Sequence, residues 1–308
     1  MDFLVTESES GLSVREFLPR RLSLSTKMLK FLKYREDGIT VNGSRVTVRY
    51  RLQTGDRLSL DIRDGENPDA PDAVDLPIDI LYEDDELVVP SKPAGMPTHP
   101  SRDHYRDTVA NALSYRYLTR GIPFVFRPIN RLDRDTSGLL LVARNKLSAG
   151  RMTDAMRHGE IHKSYLAVLE GEDCPGSGCI DRPLRRSAAS IIVREVCNET
   201  DAGAEPSRTL FRVLARGDGC VLVEAKPVTG RTHQLRVHFA SIGHPIVGDT
   251  LYGHPDARIG RQALHARTLT FPHPATGERM TLTAPLPDDL DTLIFQMFGI
   301  HIDRKESI

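Results

Sequence analysis

A chain of 308 residues with 39% hydrophobic and 27% charged side chains can bury one large core or two cores joined by a linker, which excludes a wholly disordered polypeptide. No run approaches the roughly 20 apolar residues needed to cross a bilayer, and Met1-Asp2-Phe3-Leu4-Val5-Thr6-Glu7 lacks a basic stretch followed by an apolar one. The expectation is therefore a cytoplasmic protein with no membrane partner. Cys174, Cys179, Cys197 and Cys220 show no CxxC pairing and no His-rich block after them, so they read as reduced thiols and not as a zinc site.

The formal net charge of -1 conceals a partition. Residues 11–63 carry 12 Lys/Arg against 5 Asp/Glu, residues 64–86 carry ten acids and no base, and residues 87–308 carry 29 bases against 24 acids. A basic head, an acidic joint and a mildly basic body point to a polyanionic partner, although a charge run by itself is more often a solvated face.

Taken in chain order, Ser13-Val14-Arg15-Glu16 has the pattern of a capping box, and Pro19 is expected to end that short helix within about a turn and a half. A second helix is expected from Ser25, with Met28, Leu29, Phe31 and Leu32 on one side and Lys27, Lys30 and Lys33 on the other. Ile39 to Val48 alternates around Asn42-Gly43, the signal of a hairpin, and Asp56 to Ile62 reads as a strand. This stretch resembles the S4 RNA-binding domain over residues 11–63, including its Val-Asn-Gly turn and the Gly55-Asp56 pair. Such a resemblance implies RNA contacts from Arg20, Arg21, Lys27, Lys30 and Lys33, and a lysine-striped helix suits phosphates, which give affinity and register but little sequence choice. The bland competitor is an ordinary helix with lysines on its wet side.

Residues 64–86, with Pro68, Pro71 and Pro77, read as an extended acidic linker. Beyond it, 139–143, 164–169, 210–214 and 220–225 read as strands, and 105–119, 146–158 and 232–242 as helices. No fixed-period repeat is present. The expected architecture is α+β: a small ααβ head, then a mixed α/β body over residues 87–300 on an extended, mainly antiparallel sheet.

The most informative stretch is Arg127 to Ala143, in which Asn130-Arg131-Leu132-Asp133-Arg134-Asp135-Thr136-Ser137-Gly138 feeds into an apolar strand. Carboxylates at the mouth of a core element can be aimed by a rigid scaffold, yet a turn in which Asp133 and Asp135 only cap backbone amides is an even competitor on physics alone. Two more stretches tip the balance, one carrying Lys163-Ser164-Tyr165 on a strand and the other Gly230-Arg231-Thr232-His233-Gln234-Leu235-Arg236 at a helix start. With Lys92-Pro93-Ala94-Gly95, Gly243 to Asp249 and Leu264-His265-Ala266, they resemble the RluA-type pseudouridine synthases over residues 86–290, in order and at plausible spacing.

That resemblance implies an RNA uridine isomerase with Asp133 as its essential carboxylate, Tyr165 and Arg231 as further catalytic residues, and Arg131 filling the gap left by a flipped base. Asn130 stands where the family more often has His, and an amide cannot become cationic. The reaction fits the residue types independently: it breaks a C–N glycosidic bond and rejoins the uracil through carbon, and a carboxylate beside C1′ stabilises an electron-poor ribose. Attack on C1′ and removal of a 2′ proton both use that carboxylate. Arg231 is expected to keep Asp133 ionised, and Tyr165 to pack against the uracil and assist the proton leaving C5. No cofactor is implied. The expected substrate is large-subunit ribosomal RNA, with tRNA as the alternative, and the expected state is a monomer.

Two rivals rank lower. Asp133-Arg134-Asp135-Thr136 is similar to the start of aspartyl-phosphate phosphatases, but its threonine comes one residue early and no buried apolar strand precedes it. His158-Gly159-Glu160-Ile161-His162 is zincin-like with Glu one place late and a helix-weakening glycine inside. A non-catalytic RNA-binding or ribosome-assembly protein is the remaining class, and intact Asp133, Tyr165 and Arg231 argue against it.

Overall fold

A computed structural model describes residues 1–22, 26–62 and 70–302, without the side chains of Thr26 and Lys27. The expected helix start at Ser25, the Lys27 side chain and the first part of the acidic linker lie outside the described residues.

The head consists of helices α1 (Val14–Leu22) and α2 (Thr26–Tyr34) on a sheet of β1 (Asp2–Leu4), β2 (Ile39–Val41), β3 (Ser44–Arg45) and β4 (Arg57–Leu60), in the order β1-β4-β2-β3. Asp2 to Leu4 pairs with β4, so the sheet begins upstream of residue 11. Asn42 and Gly43 both adopt positive φ, as a two-residue hairpin turn requires.

Pro19 does not end α1, which runs on to Leu22. Without an N–H, Pro19 forfeits the bond to the Arg15 carbonyl, but Phe17, Leu18 and Leu22 are all buried in the head core, and their burial outweighs the defect. On α2, Met28 and Leu32 are buried while Lys30 and Lys33 are exposed. Arg20 is exposed, and Arg21 is tied to Glu9.

The body is one 11-stranded sheet. Its strands are β5 (Asp79–Glu83), β6 (Leu87–Lys92), β7 (Arg127–Pro128), β8 (Ser137–Leu139), β9 (Val142–Ala143), β10 (His162–Glu170), β11 (Ser177–Asp181), β14 (Arg208–Gly217), β15 (Cys220–Pro227), β16 (Leu264–Pro272) and β17 (Arg279–Thr283); β12 (Leu184–Arg186) and β13 (Arg194–Val196) form a separate ribbon. The main path is β11-β14-β15-β10-β16-β8-β6-β9-β7, with β17 on β16 and β5 on β6. Only β8 and β16 pair in parallel among the described strands. Residues 79–83, expected in the linker, form a strand of this sheet, and Leu76, Ile78 and Ile80 pack beneath it.

Helices α3 (Val109–Leu118) and α4 (Lys146–Arg157) cover opposite faces of one half of the sheet. Alternation decides which residues meet which helix: Val88, Leu140 and Val142 pack with Val109, Leu113 and Tyr117, whereas Leu87, Val89, Leu139 and Leu141 pack with Met152 and Ala155. Coverage on both faces is why 139–143 reads as an unbroken apolar run. Under the other half lie α5 (Gln234–Ser241) and α6 (Asp288–Phe298), through Leu235, Phe239, Leu293 and Ile294. No helix among the described residues is long and apolar enough to cross a membrane.

Head and body share contacts at α4. Leu147 is buried in the head core, and the Lys146 ammonium sits 3.7 Å from the Phe31 ring centroid. Replacing the exposed Pro19 by Ala restores the missing helical hydrogen bond; thermal unfolding of Pro19→Ala should show a head more stable by about 1–3 kcal/mol.

Candidate active site

The 139–143 run is not one strand. It breaks at Leu140-Leu141 into β8 and β9, and Asn130 fills the break: its carboxamide oxygen accepts the Leu141 N–H at 2.7 Å and its amide donates to the Leu139 carbonyl at 3.3 Å. Asn130 is thus a buried clamp between loop and strand.

The 130–136 loop is held by further side chains from outside it. Thr98 Oγ1 donates to the Leu132 carbonyl at 3.0 Å, Arg261 Nη1 to the Asp135 carbonyl at 3.2 Å, and Gln262 Nε2 to Thr136 Oγ1 at 3.2 Å. Lys92, almost wholly buried, donates to the carbonyls of Pro93, Met96 and Arg134 at 2.7–2.8 Å. Burial pushes its amine down to about 7, against the pull of Asp135 and Asp133. Three acceptors suit an ammonium, which alone carries three protons. Asp135 is paired with Arg134, so the two loop carboxylates do different things.

Asp133, about a quarter exposed, faces a cleft of about 1640 Å³. Its carboxylate Oδ2 lies 3.4 Å from Arg236 Nη1 and 3.9 Å from His233 Nε2. Arg236 in turn makes a fork to the buried Asp249, with Nε to Oδ2 at 2.6 Å and Nη2 to Oδ1 at 2.7 Å. Burial draws the guanidinium's pKa down, but the hydrogen bonds and charge of Asp249, followed by Asp133, more than offset it and leave it raised.

The expected Arg231–Asp133 pair is therefore replaced by Arg236–Asp133. Arg231 precedes α5, is exposed at the cleft mouth, and pairs with Glu205 at 3.2 Å while donating to the Pro206 carbonyl. A cation in the first turn of a helix opposes the helix dipole and needs a carboxylate. That requirement falls on Arg236, which has two. Arg236 lies in the same motif as Arg231, and its place between the apolar Leu235 and Val237 on a short helix is the one sequence signal that sets it apart.

Tyr165 sits on β10 where the register against β16 shifts between Ser164 and Tyr165, an irregularity that re-aims a side chain. It is buried and lines the same cleft as Asp133. Burial first, and the Asp133 charge second, push its phenol well above the usual range, so it stays protonated at neutral pH and is a packing and donor group, not a resting base. Arg131 is exposed on the cleft rim and forms no pair with Asp135. Among the described residues no group of three or more His, Cys, Asp or Glu side chains is placed to hold a metal ion.

Substituting Lys92 by Met removes the proton donors of three carbonyls at once. Thermal unfolding of Lys92→Met should reveal a loss of about 2–4 kcal/mol, and unchanged stability would show that the loop does not need the clamp.

Residues 86–241 match the family model for RNA pseudouridylate synthase. The uncharacterized RNA pseudouridine synthase YjbO of Bacillus subtilis (strain 168) is 37% identical over 283 residues, covering 92% of this chain and 98% of its own. Ribosomal large subunit pseudouridine synthase C of Haemophilus ducreyi is 32% identical, covering 96% of this chain and 95% of its own. Among solved structures, human RNA Pseudouridylate Synthase Domain Containing 1 superposes with a TM-score of 0.59 at 30% identity, over 79% of this chain and 94% of that one. With its loop carboxylate, re-aimed tyrosine and buried arginine on one cleft, this chain belongs to the RNA pseudouridine synthase family and is an isomerase acting on RNA.

Proposed function

We propose that the enzyme isomerises uridines of large-subunit ribosomal RNA, with Asp133 as the essential carboxylate, Arg236 as its ionic partner and Tyr165 against the everted base. The observation that carries the site assignment is the 3.4 Å approach of Asp133 Oδ2 to a buried guanidinium. Support for the RNA class comes from relatives called ribosomal large subunit pseudouridine synthases C and D, among them one from Zymomonas mobilis that is 36% identical over 73% of this chain.

A stacked uridine must be turned out before its sugar reaches Asp133, at a cost of a few kcal/mol that contacts elsewhere must offset. Arg131, on the rim, is placed to fill the vacated stack. Asp133 then stabilises C1′ as the bond to N1 breaks. Arg236 is already paired with Asp249, so Asp133 feels only part of its charge and is not locked in a closed pair. The protonated Tyr165 fixes the plane of the detached uracil while C5 turns toward C1′. The head, with Lys30 and Lys33 exposed on α2, supplies backbone affinity as an S4-like RNA-binding unit, and Arg231 belongs to the mouth.

In assays on unmodified large-subunit RNA, Asp133→Asn should abolish pseudouridine while RNA binding survives; residual turnover would remove Asp133 from its role. Arg236→Gln should lower kcat about 100-fold or more, since it leaves Asp249 buried without its cation, whereas Arg231→Gln should act mainly on KM. The head is tested separately: replacing Lys27, Lys30 and Lys33 by Ala should weaken RNA binding and flatten the log-salt slope by roughly 0.7–0.9 per lost phosphate contact. An unchanged slope would place the RNA elsewhere.

A further inference from the structure

The β12–β13 ribbon stands apart from the large sheet, and its base is fastened to the body by the Arg182 carbonyl on His238 Nε2 at 3.0 Å and by backbone bonds between Leu184 and Glu205. Its tip exposes Ile191 and Ile192. Across the ribbon Arg186 faces Arg194 directly, an arrangement that is destabilising for like charges. Neither has a carboxylate partner among the described residues, and Arg194 Nη1 instead donates to the carbonyls of Ile192 and Val193. Two opposed guanidinium groups without an anion suit a phosphodiester, and apolar tips of this kind can wedge between bases.

From this ribbon a chain of polar contacts leads to Asp133. The Arg194 backbone N–H donates to the Tyr252 hydroxyl at 2.8 Å, and that hydroxyl lies 2.8 Å from His233 Nδ1. We assign the phenolic proton to Nδ1, the arrangement in which the oxygen that accepts the backbone N–H donates its own hydrogen to the imidazole. The imidazole proton then resides on Nε2, which is 3.9 Å from Asp133 Oδ2. With the other tautomer, a lone pair on Nε2 would oppose the carboxylate. Burial keeps His233 neutral, helped by Arg236 and Arg194 and opposed by Asp133 and Asp249, so the tautomer decides what Asp133 meets. His233 also holds a left-handed backbone with φ of 57°, unusual for a non-glycine residue and a form of strain that clusters at functional sites. Tyr252 is fixed from its other end by Asp249, whose Oδ1 accepts the Tyr252 N–H while the same carboxylate grips Arg236.

We propose that the 184–196 hairpin is an RNA-sensing arm, and that Tyr252 and His233 are positioning residues that make the setting of Asp133 depend on how that arm is seated. The inference rests on the pseudouridine synthase activity and on Asp133 as its carboxylate; loss of all pseudouridine formation by the unaltered protein, or turnover by Asp133→Asn, would count against those readings and not against the arm.

The test uses the full chain and a large-subunit RNA transcript, scored by single-turnover rate, RNA affinity and the rate–pH profile. Tyr252→Phe keeps the ring and removes one hydroxyl. Its rate should fall about tenfold with affinity unchanged. The acidic limb of its profile should move to higher pH, because Nδ1 loses the donor that favours the neutral ring. His233→Gln, which retains a donor, should keep more activity than His233→Leu, and this pair serves if Tyr252→Phe fails to fold. At the tip, Arg186→Gln with Ile191→Ser and Ile192→Ser should weaken RNA binding several-fold and lower the rate in the wild-type background, but add no further rate loss to Tyr252→Phe. Unchanged RNA affinity in the tip variant would overturn the arm. Rate losses that multiply independently, an unmoved pH limb, or equal activity of the Gln and Leu variants at position 233 would overturn the relay.

Discussion

One guanidinium shared unequally between two carboxylates organises this protein. Arg236 is buried, and its fork to Asp249 takes two of its five N–H donors before Asp133 is reached. A buried ion pair adds little net stability over an apolar substitute, but removing one partner strands the other charge at a cost of about 3–5 kcal/mol. The pair therefore serves as a specification: it fixes the start of α5, the turn at 249–252 and the loop bearing Asp133 in one mutual arrangement. Asp249 also accepts the backbone N–H groups of Leu251 and Tyr252, so helix start and turn are set by the same oxygen atoms.

Precision at Asp133 comes from an irregular loop whose backbone is satisfied by buried side chains. Asn130, Thr98, Lys92 and Arg261 each supply hydrogen bonds that a regular strand would have drawn from its neighbours. Gly138 belongs to the same arrangement, with φ of 112° and the Ala266 backbone pressed against the place where a Cβ would stand. The loop is thereby rigid without being regular, which suits the role proposed for Asp133 at a single sugar carbon.

The head is built differently. Its core is local to residues 3–62 apart from Leu147, and its basic side chains stand on solvated faces. Contacts such as Lys146 on Phe31 and Arg151 on the Leu22 carbonyl join it to α4 of the body. A region whose charges stand on solvated faces suits affinity, whereas the cleft around Asp133 offers geometry.

Much was legible in the residues themselves. Alternation and apolar runs located β10, β14 and β15, the helices expected over 105–119 and 146–158 contain α3 and α4, and the loop ahead of 139–143 marked Asp133, because these signals are local and periodic. Family resemblance supplied Tyr165 for the same cleft. What only the tertiary structure decided is which arginine meets Asp133: Arg231 and Arg236 share one motif, and choosing between them requires knowing that the chain enters α5 with residue 231 still at the mouth and residue 236 already inside. Pro19 within α1 and the strand at 79–83 escaped for a related reason, since burial against distant partners overrode a local breaker and an acidic composition. Period and capping act over a few residues, while the pairing of buried charges depends on elements more than 100 positions apart in the chain.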